Sequence, residues 1–196
     1  VSQYFQIQGS PEWLVLQYFQ IHRSSKCLVL QYFQIHRLYQ NAWSFSISRF
    51  MGRKIKFREG FRPFAPSVLE ECVGQYFHLD RPSPYMLLVD QVNSEAEALP
   101  AITHVDNSAR IQTIHRSQDE LYYDLIETFR KRTGCGVIIN TSMNVRGEPI
   151  VNTPTDAYQC FMRTHMDALV CGPFLLLKDD QPEIDIASAE EAFGLD

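Results

Sequence analysis

Cysteine is scarce and oddly numbered: the 196 residues hold five, Cys27, Cys72, Cys135, Cys160 and Cys171, with no Cys-x-x-Cys spacing. That excludes a zinc ribbon, argues against a disulfide framework and suits a reducing cytosol, so the expected location is cytoplasmic. No apolar run is long enough to span a bilayer, and no charged segment followed by an apolar one opens the chain. Neither a membrane partner nor a signal peptide is therefore expected. Gly-x-x-x-x-Gly-Lys-Ser/Thr and Gly-x-Gly-x-x-Gly are both missing, so neither a P-loop nor a Rossmann site is indicated. No Ser-His-Asp order can be defended. His104-x-Asp106 lacks a third partner, so no metal site is assigned. An excess of basic residues is also lacking: the net charge is -5, and generic nucleic-acid binding is not favoured.

What is present is an ordinary globular balance, 45% hydrophobic and 21% charged, enough for one domain or one domain plus an appendage. The charge is uneven. Arg49, Arg53, Lys54, Lys56, Arg58 and Arg62 lie together against Glu59 alone, while residues 179–196 form an acidic tail with no basic residue. The start of the chain is repetitive. Leu-Val-Leu-Gln-Tyr-Phe-Gln-Ile-His-Arg is identical at Leu14–Arg23 and Leu28–Arg37, and Gln-Tyr-Phe-Gln-Ile first occurs at Gln3–Ile7. Identity over that length reads as a recent duplication rather than as a stack of structural repeats. Residues 1–50 are accordingly expected to stand outside the native domain, as a translated repeat or fusion scar. The alternative is an aromatic-rich arm that adds short strands.

From Met51 the pattern is that of a mixed α/β domain. Lys54–Arg58 alternates basic and apolar residues like a strand. Two prolines keep Phe61–Pro66 out of a helix. Tyr85–Val92, Ala109–His115 and Gly136–Asn140 read as strands. Ser117–Arg132 is the best helix: Ser117 and Glu120 have capping-box spacing, and Leu121, Tyr122, Leu125, Ile126 and Phe129 share a face. Gly134 supplies its left-handed stop. Thr153-Pro154-Thr155-Asp156 begins a second helix, reaching about Thr164. Ala168–Lys178, broken by Gly172-Pro173, gives two strands. Alternating helices and strands favour an α/β sheet over a bundle.

Three constellations carry potential chemistry. Lys56 and Arg58 would project from one face of a strand, with Arg62 held by the rigid Pro-Phe-Ala-Pro that follows. Such cations partner phosphate and carboxylate. On pattern alone a solvated basic edge strand is the better account. In Thr103–Arg110, Arg110 opens a strand, where a side chain can reach a cleft. A packed His104 and a turn-capping Asp106 are the better account of the rest. In Asn140–Pro149, Asn140, Thr141, Ser142 and Asn144 cluster hydrogen-bonding groups after the most buried-looking strand, where ligands gather in α/β sheets. They suit a phosphate or a planar amide such as carbamoyl, or else a loop satisfying its own backbone.

These three segments resemble one family. Arg58-Glu59-Gly60-Phe61-Arg62-Pro63-Phe64-Ala65-Pro66 is similar to the Arg-Glu-x-Phe-Arg-Pro-Phe-Ala-Pro signature of the carboxy-terminal domain of O-carbamoyltransferases of nodulation-factor and antibiotic maturation. His104–Arg110 resembles its His-Val-Asp-Gly-Ser-Ala-Arg, with Asn107 for glycine. Asn140–Val151 resembles Asn-Thr-Ser-Phe-Asn-x-x-Gly-Glu-Pro-Ile-Val, with Met143 for phenylalanine. The resemblance covers residues 51–178.

It implies an α/β (α+β) fold, a YrdC-like twisted mixed sheet flanked by helices, incomplete here at its amino-terminal side. It implies an enzyme part that takes carbamoyl phosphate and ATP, with Mg, to carbamoyl-adenylate. Lys56, Arg62 and Arg110 would be its catalytic cations, the first two on phosphate groups. Arg58, Asn140, Ser142 and Asn144 would bind substrate or nucleotide. Full-length relatives add an amino-terminal actin-like domain, in cis or in trans, which carries iron or another metal and passes the carbamoyl group to a hydroxyl of a saccharide or natural product. Nothing in this chain resembles that domain. The competing readings are an inactive gene fragment and a nucleotide- or RNA-binding module.

Overall fold

The computed structural model describes residues 13–21, 25–33, 51–57, 63–93, 99 and 101–184. Eight strands make one mixed sheet: β1 Trp13–Ile21, β2 Ser25–Phe33, β3 Ala65–Leu69, β4 Leu88–Gln91, β5 Ser108–Ile114, β6 Val137–Asn140, β7 Ala168–Cys171 and β8 Phe174–Leu177. Their order is β4-β5-β3-β6-β1-β2-β7-β8. Neighbours β5/β3 and β6/β1 are parallel and the other pairs antiparallel. The helices are α1 Val73–Tyr76, α2 Glu120–Thr133 and α3 Pro154–Met162. Among the described residues no helix is long and apolar enough to cross a membrane.

The sheet's centre is buried: all of Ala65–Leu69 is covered, with Ser67 its one polar side chain, and so are Val137, Ile138 and Ile139. Helix α2 buries Tyr122, Leu125, Ile126 and Phe129 of the face its sequence predicts, with Leu121 half-buried. Its stop is Gly134 at φ 82, where a Cβ would be strained. Its start differs from the expected one. Asp119 caps it, accepting from the Tyr122 N–H at 3.2 Å. Ser117 instead belongs to the preceding turn, hydrogen-bonded to His115 Nδ1 at 2.8 Å. Helix α3 starts where expected, with Pro154 in its first turn, and a capping box of Thr153 and Asp156 closes that start.

Two further expectations are corrected. Lys54–Arg58 does not begin a strand. Met51–Ile55 is a single π-helical turn, and Phe57 lies in the left-handed region at φ 49. The strand alternation fails because Lys56 is buried along with its apolar neighbours Ile55 and Phe57. Strands β1 and β2 lie inside the sheet, between β6 and β7. Two copies of Leu-Val-Leu-Gln-Tyr-Phe, rich in strand-forming residues, pair antiparallel with Leu14 opposite Tyr32 and Leu16 opposite Leu30. Second, Cys171 is disulfide-bonded, against the expectation drawn from the cysteine pattern. An odd cysteine count leaves room for one bond. Cys72, Cys135 and Cys160 are free and buried.

Candidate functional site

The site forms where the end of β6 meets the beginnings of β3 and β5. Asn140 pairs with Ala65, and Ser67 pairs with both Ile138 and Gln112. Paired residues point to the same side of a sheet, as do residues two apart on a strand. Arg110, Gln112, Ser67 and Asn140 therefore share one face across three strands. Arg110 is exposed and opposite Val89 of the edge strand β4. No described residue is hydrogen-bonded to or ion-paired with its guanidinium.

The loop after β6 is tied down by Lys56. Its Nζ donates to the Ser142 carbonyl, to the Asn144 carbonyl at 2.9 Å and to Asn144 Oδ1 at 3.0 Å. An ammonium group has three N–H donors, and all three are engaged. The Lys56 carbonyl in turn accepts from the Arg146 N–H at 3.0 Å. Only 4% of Lys56 is exposed, and these carbonyl oxygens offset the burial of its charge.

Asn144 is the hub of this loop. Besides Lys56, its Oδ1 accepts from Ser142 Oγ at 2.7 Å, and its Nδ2 donates to the carbonyls of Val145 at 3.3 Å and Glu148 at 3.1 Å. Arg163 of the segment after α3 holds Glu148 at 2.8 Å. Met143, at the position where the family motif has phenylalanine, is fully buried. A flexible apolar side chain fills that core position. The loop is thus rigidly built, with Ser142 exposed on it and Asn144 half-buried.

The second motif forms a turn between β4 and β5. Asp106 Oδ1 accepts from the Ser108 backbone N–H at 3.1 Å and from Ser108 Oγ at 2.7 Å. These bonds hold its carboxyl below the usual range, the side-chain bond most of all. Ser108 Oγ then accepts from His104 Nδ1 at 2.9 Å. Asp106 caps the turn and His104 is half-buried beside it, the bland account of both residues. Asn107 sits at φ 62, the left-handed conformation that explains a glycine in the family motif and that asparagine tolerates.

Of the residues singled out in the sequence, Lys56, Ser142 and Asn144 are in direct contact, and Asn140 and Arg110 share the adjoining sheet face. Arg58 and Arg62 lie outside the described residues. Gln112 was not foreseen. Its Oε1 accepts from Ser67 Oγ at 2.7 Å and from Asn140 Nδ2 at 2.6 Å. The signal was its place two residues beyond Arg110 on one strand. Near Ser67 lies the buried Tyr122 hydroxyl, whose pKa burial pushes up. Cys160 is also buried near the site. Burial raises its thiol to about 11, opposed by the Lys56 charge, so it is no thiolate nucleophile at neutral pH. No group of three His, Cys, Asp or Glu side chains able to hold a metal ion occurs among the described residues.

Residues 38–178 match the model of the family described as carbamoyltransferase C-terminus. The chain belongs to this family. It is 53% identical over 168 residues to an uncharacterized protein of Synechocystis sp., covering 74% of this chain and 27% of that protein. It is 45% identical over 128 residues to the nodulation protein NolO of Bradyrhizobium diazoefficiens, covering 63% and 23%. It is 40% identical over 111 residues to a 3'-hydroxymethylcephem-O-carbamoyltransferase of Amycolatopsis lactamdurans, covering 57% and 21%. The chain thus spans only about a quarter of the length of these relatives.

Proposed function

We propose that residues 51–178 are the carbamoyl-activating part of an O-carbamoyltransferase. The supporting observation is the placement of Lys56, Ser142 and Asn144 in one hydrogen-bonded loop beside a sheet face bearing Asn140 and Arg110. In this reading the YrdC-like face binds carbamoyl phosphate and ATP. Water releases phosphate from carbamoyl phosphate. The carbamate so formed attacks the α-phosphorus of ATP, and the bond to the β-phosphate breaks, leaving carbamoyl-adenylate and pyrophosphate. Such chemistry asks for positioning and charge neutralisation more than for a protein nucleophile.

Arg110, exposed and without a described partner, would take an anionic oxygen, together with Arg62 and Arg58. Lys56 would supply charge and hold the loop; a direct phosphate contact would replace one of its three bonds. Asn140 and Ser142 would face the carbamoyl group, with Asn144 fixing Ser142. Magnesium would arrive on the ATP phosphates, since the described residues offer no carboxylate cluster to hold it. Transfer onto a hydroxyl of a saccharide or natural product would need the amino-terminal actin-like domain with its metal, in cis or in trans.

The test is carbamoyl-phosphate-dependent release of pyrophosphate from ATP by the full chain, compared with Arg110→Ala and Arg62→Ala. Removing either cation is expected to slow release by at least about tenfold, the worth of one charge-assisted hydrogen bond. Equal rates in all three proteins would overturn the site.

A further inference from the structure

Two amide side chains meet at the centre of the candidate site, and their polarity is set from outside it. The Pro84 carbonyl can only accept, so the Gln112 group 3.0 Å from it is the NH2. That carbonyl sits on a fixed turn. Ser83 is buried, its N–H donates to Thr113 Oγ1 at 2.8 Å, and its carbonyl accepts from the Thr113 N–H at 3.0 Å. Gln112 Oε1 must then face inward, where it accepts from Ser67 Oγ and from Asn140 Nδ2. The hydrogen-bond network thus decides an orientation that amide shape alone leaves open. With its NH2 committed to Gln112, Asn140 is left with its Oδ1, to which no described residue donates. A backbone carbonyl on the 83–86 turn therefore dictates, through two amides, which end of Asn140 remains open for a ligand.

An open acceptor selects a ligand N–H. We propose that Gln112 is a positioning residue that holds Asn140 with its carbonyl toward the ligand, so that the site takes the amino group of a carbamoyl unit and rejects the methyl group of an acetyl unit. Carbamoyl phosphate and acetyl phosphate have nearly the same shape and the same phosphate, and they differ in that one group. An acceptor facing a methyl group loses its hydrogen bond and stays desolvated, which is how polar sites discriminate near-isosteres. The inference rests on the reading above, that this face takes carbamoyl phosphate.

The experiment titrates the full chain separately with carbamoyl phosphate and acetyl phosphate, both in the presence of a non-hydrolysable ATP analogue. The native protein is expected to prefer carbamoyl phosphate by roughly tenfold, the net worth of one hydrogen bond. Gln112→Leu is expected to lose that preference by weakening carbamoyl phosphate alone, whereas general damage to the site would weaken both ligands. Gln112→Glu keeps an oxygen that accepts from Asn140 Nδ2 in either protonation state, so it is expected to keep the preference. If Gln112→Leu does not fold, Gln112→Met, whose flexible thioether offers only a weak acceptor, takes its place. An unchanged preference in Gln112→Leu or Gln112→Met, or a lost one in Gln112→Glu, overturns the role of Gln112 and leaves the proposed function standing. Failure of the native protein to bind either phosphate overturns both.

Discussion

Lys56 and Asn144 stand 88 residues apart in sequence and are joined twice, the lysine Nζ reaching both the backbone carbonyl of Asn144 and its side-chain Oδ1. A third bond goes to the Ser142 carbonyl, so one ammonium group closes the loop onto the segment before β3. Carbonyl oxygens accept only, and buried ones left without a donor cost about 1–3 kcal/mol each.

Lys56→Met keeps the length and apolar stem of the side chain but removes every donor. It is expected to destabilise the fold by about 3 kcal/mol, because the oxygens it served stay buried. The measurement is the urea midpoint, at unchanged slope. Ser142→Ala removes only one exposed donor to Asn144 Oδ1 and should change stability by less than about 1 kcal/mol. Equal midpoints for native protein and Lys56→Met would show that the lysine does not frame the loop.

Asn107 tests the turn that leads into β5 and Arg110. At φ 62 a side chain with a Cβ is strained, and asparagine offsets part of this through Nδ2, which donates to the Val92 carbonyl at 3.2 Å. Asn107→Ala should destabilise the protein by about 1 kcal/mol, and Asn107→Val by more, since β-branched residues tolerate this region least. Asn107→Gly should lie within about 0.5 kcal/mol of the native protein, losing a bond and relieving strain. Thermal denaturation of the three variants reads the order directly; alanine matching glycine would contradict the left-handed turn.

Local chemistry was legible in the sequence and long-range chemistry was not. The start of α3 at Thr153-Pro154, the apolar face of α2 and the left-handed stop at Gly134 follow from neighbours within a few residues. The start of α2 was read at Ser117, two residues too early. The choice fell to Asp119 because His115 claims the Ser117 hydroxyl. Lys54–Arg58 looked like a strand because alternation of basic and apolar residues says nothing of a carbonyl cage supplied much later in the chain. The face shared by Arg110 and Asn140 required the order of β5, β3 and β6, which no local pattern states. Gln112 escaped notice for the same reason, since its partners Ser67, Pro84 and Asn140 lie on other segments.

Lys178 gives a pH-dependent prediction. Its Nζ donates to the Phe161 carbonyl, to the carbonyls of Met162 at 3.3 Å and Thr164 at 3.0 Å, and sits 4.0 Å from the centre of the Phe161 ring. It thereby closes the carboxyl end of α3, where the helix dipole favours a cation. Burial lowers its pKa from 10.5 to about 8, opposed by the charges of Asp167 and Cys160. The unfolded chain therefore holds this proton more tightly than the folded one. Below pH 8 both states are protonated and the cost of burying the ammonium is fully present; between 8 and 10.5 folding releases the proton, and stability rises with pH. Other groups titrate in the same range, so the quantity to follow is the stability of the native protein minus that of Lys178→Met. That difference should move in favour of the native protein between about pH 7.5 and about pH 9.5 in urea unfolding. A flat difference would mean that the three carbonyls and the ring hold the ammonium at its ordinary pKa.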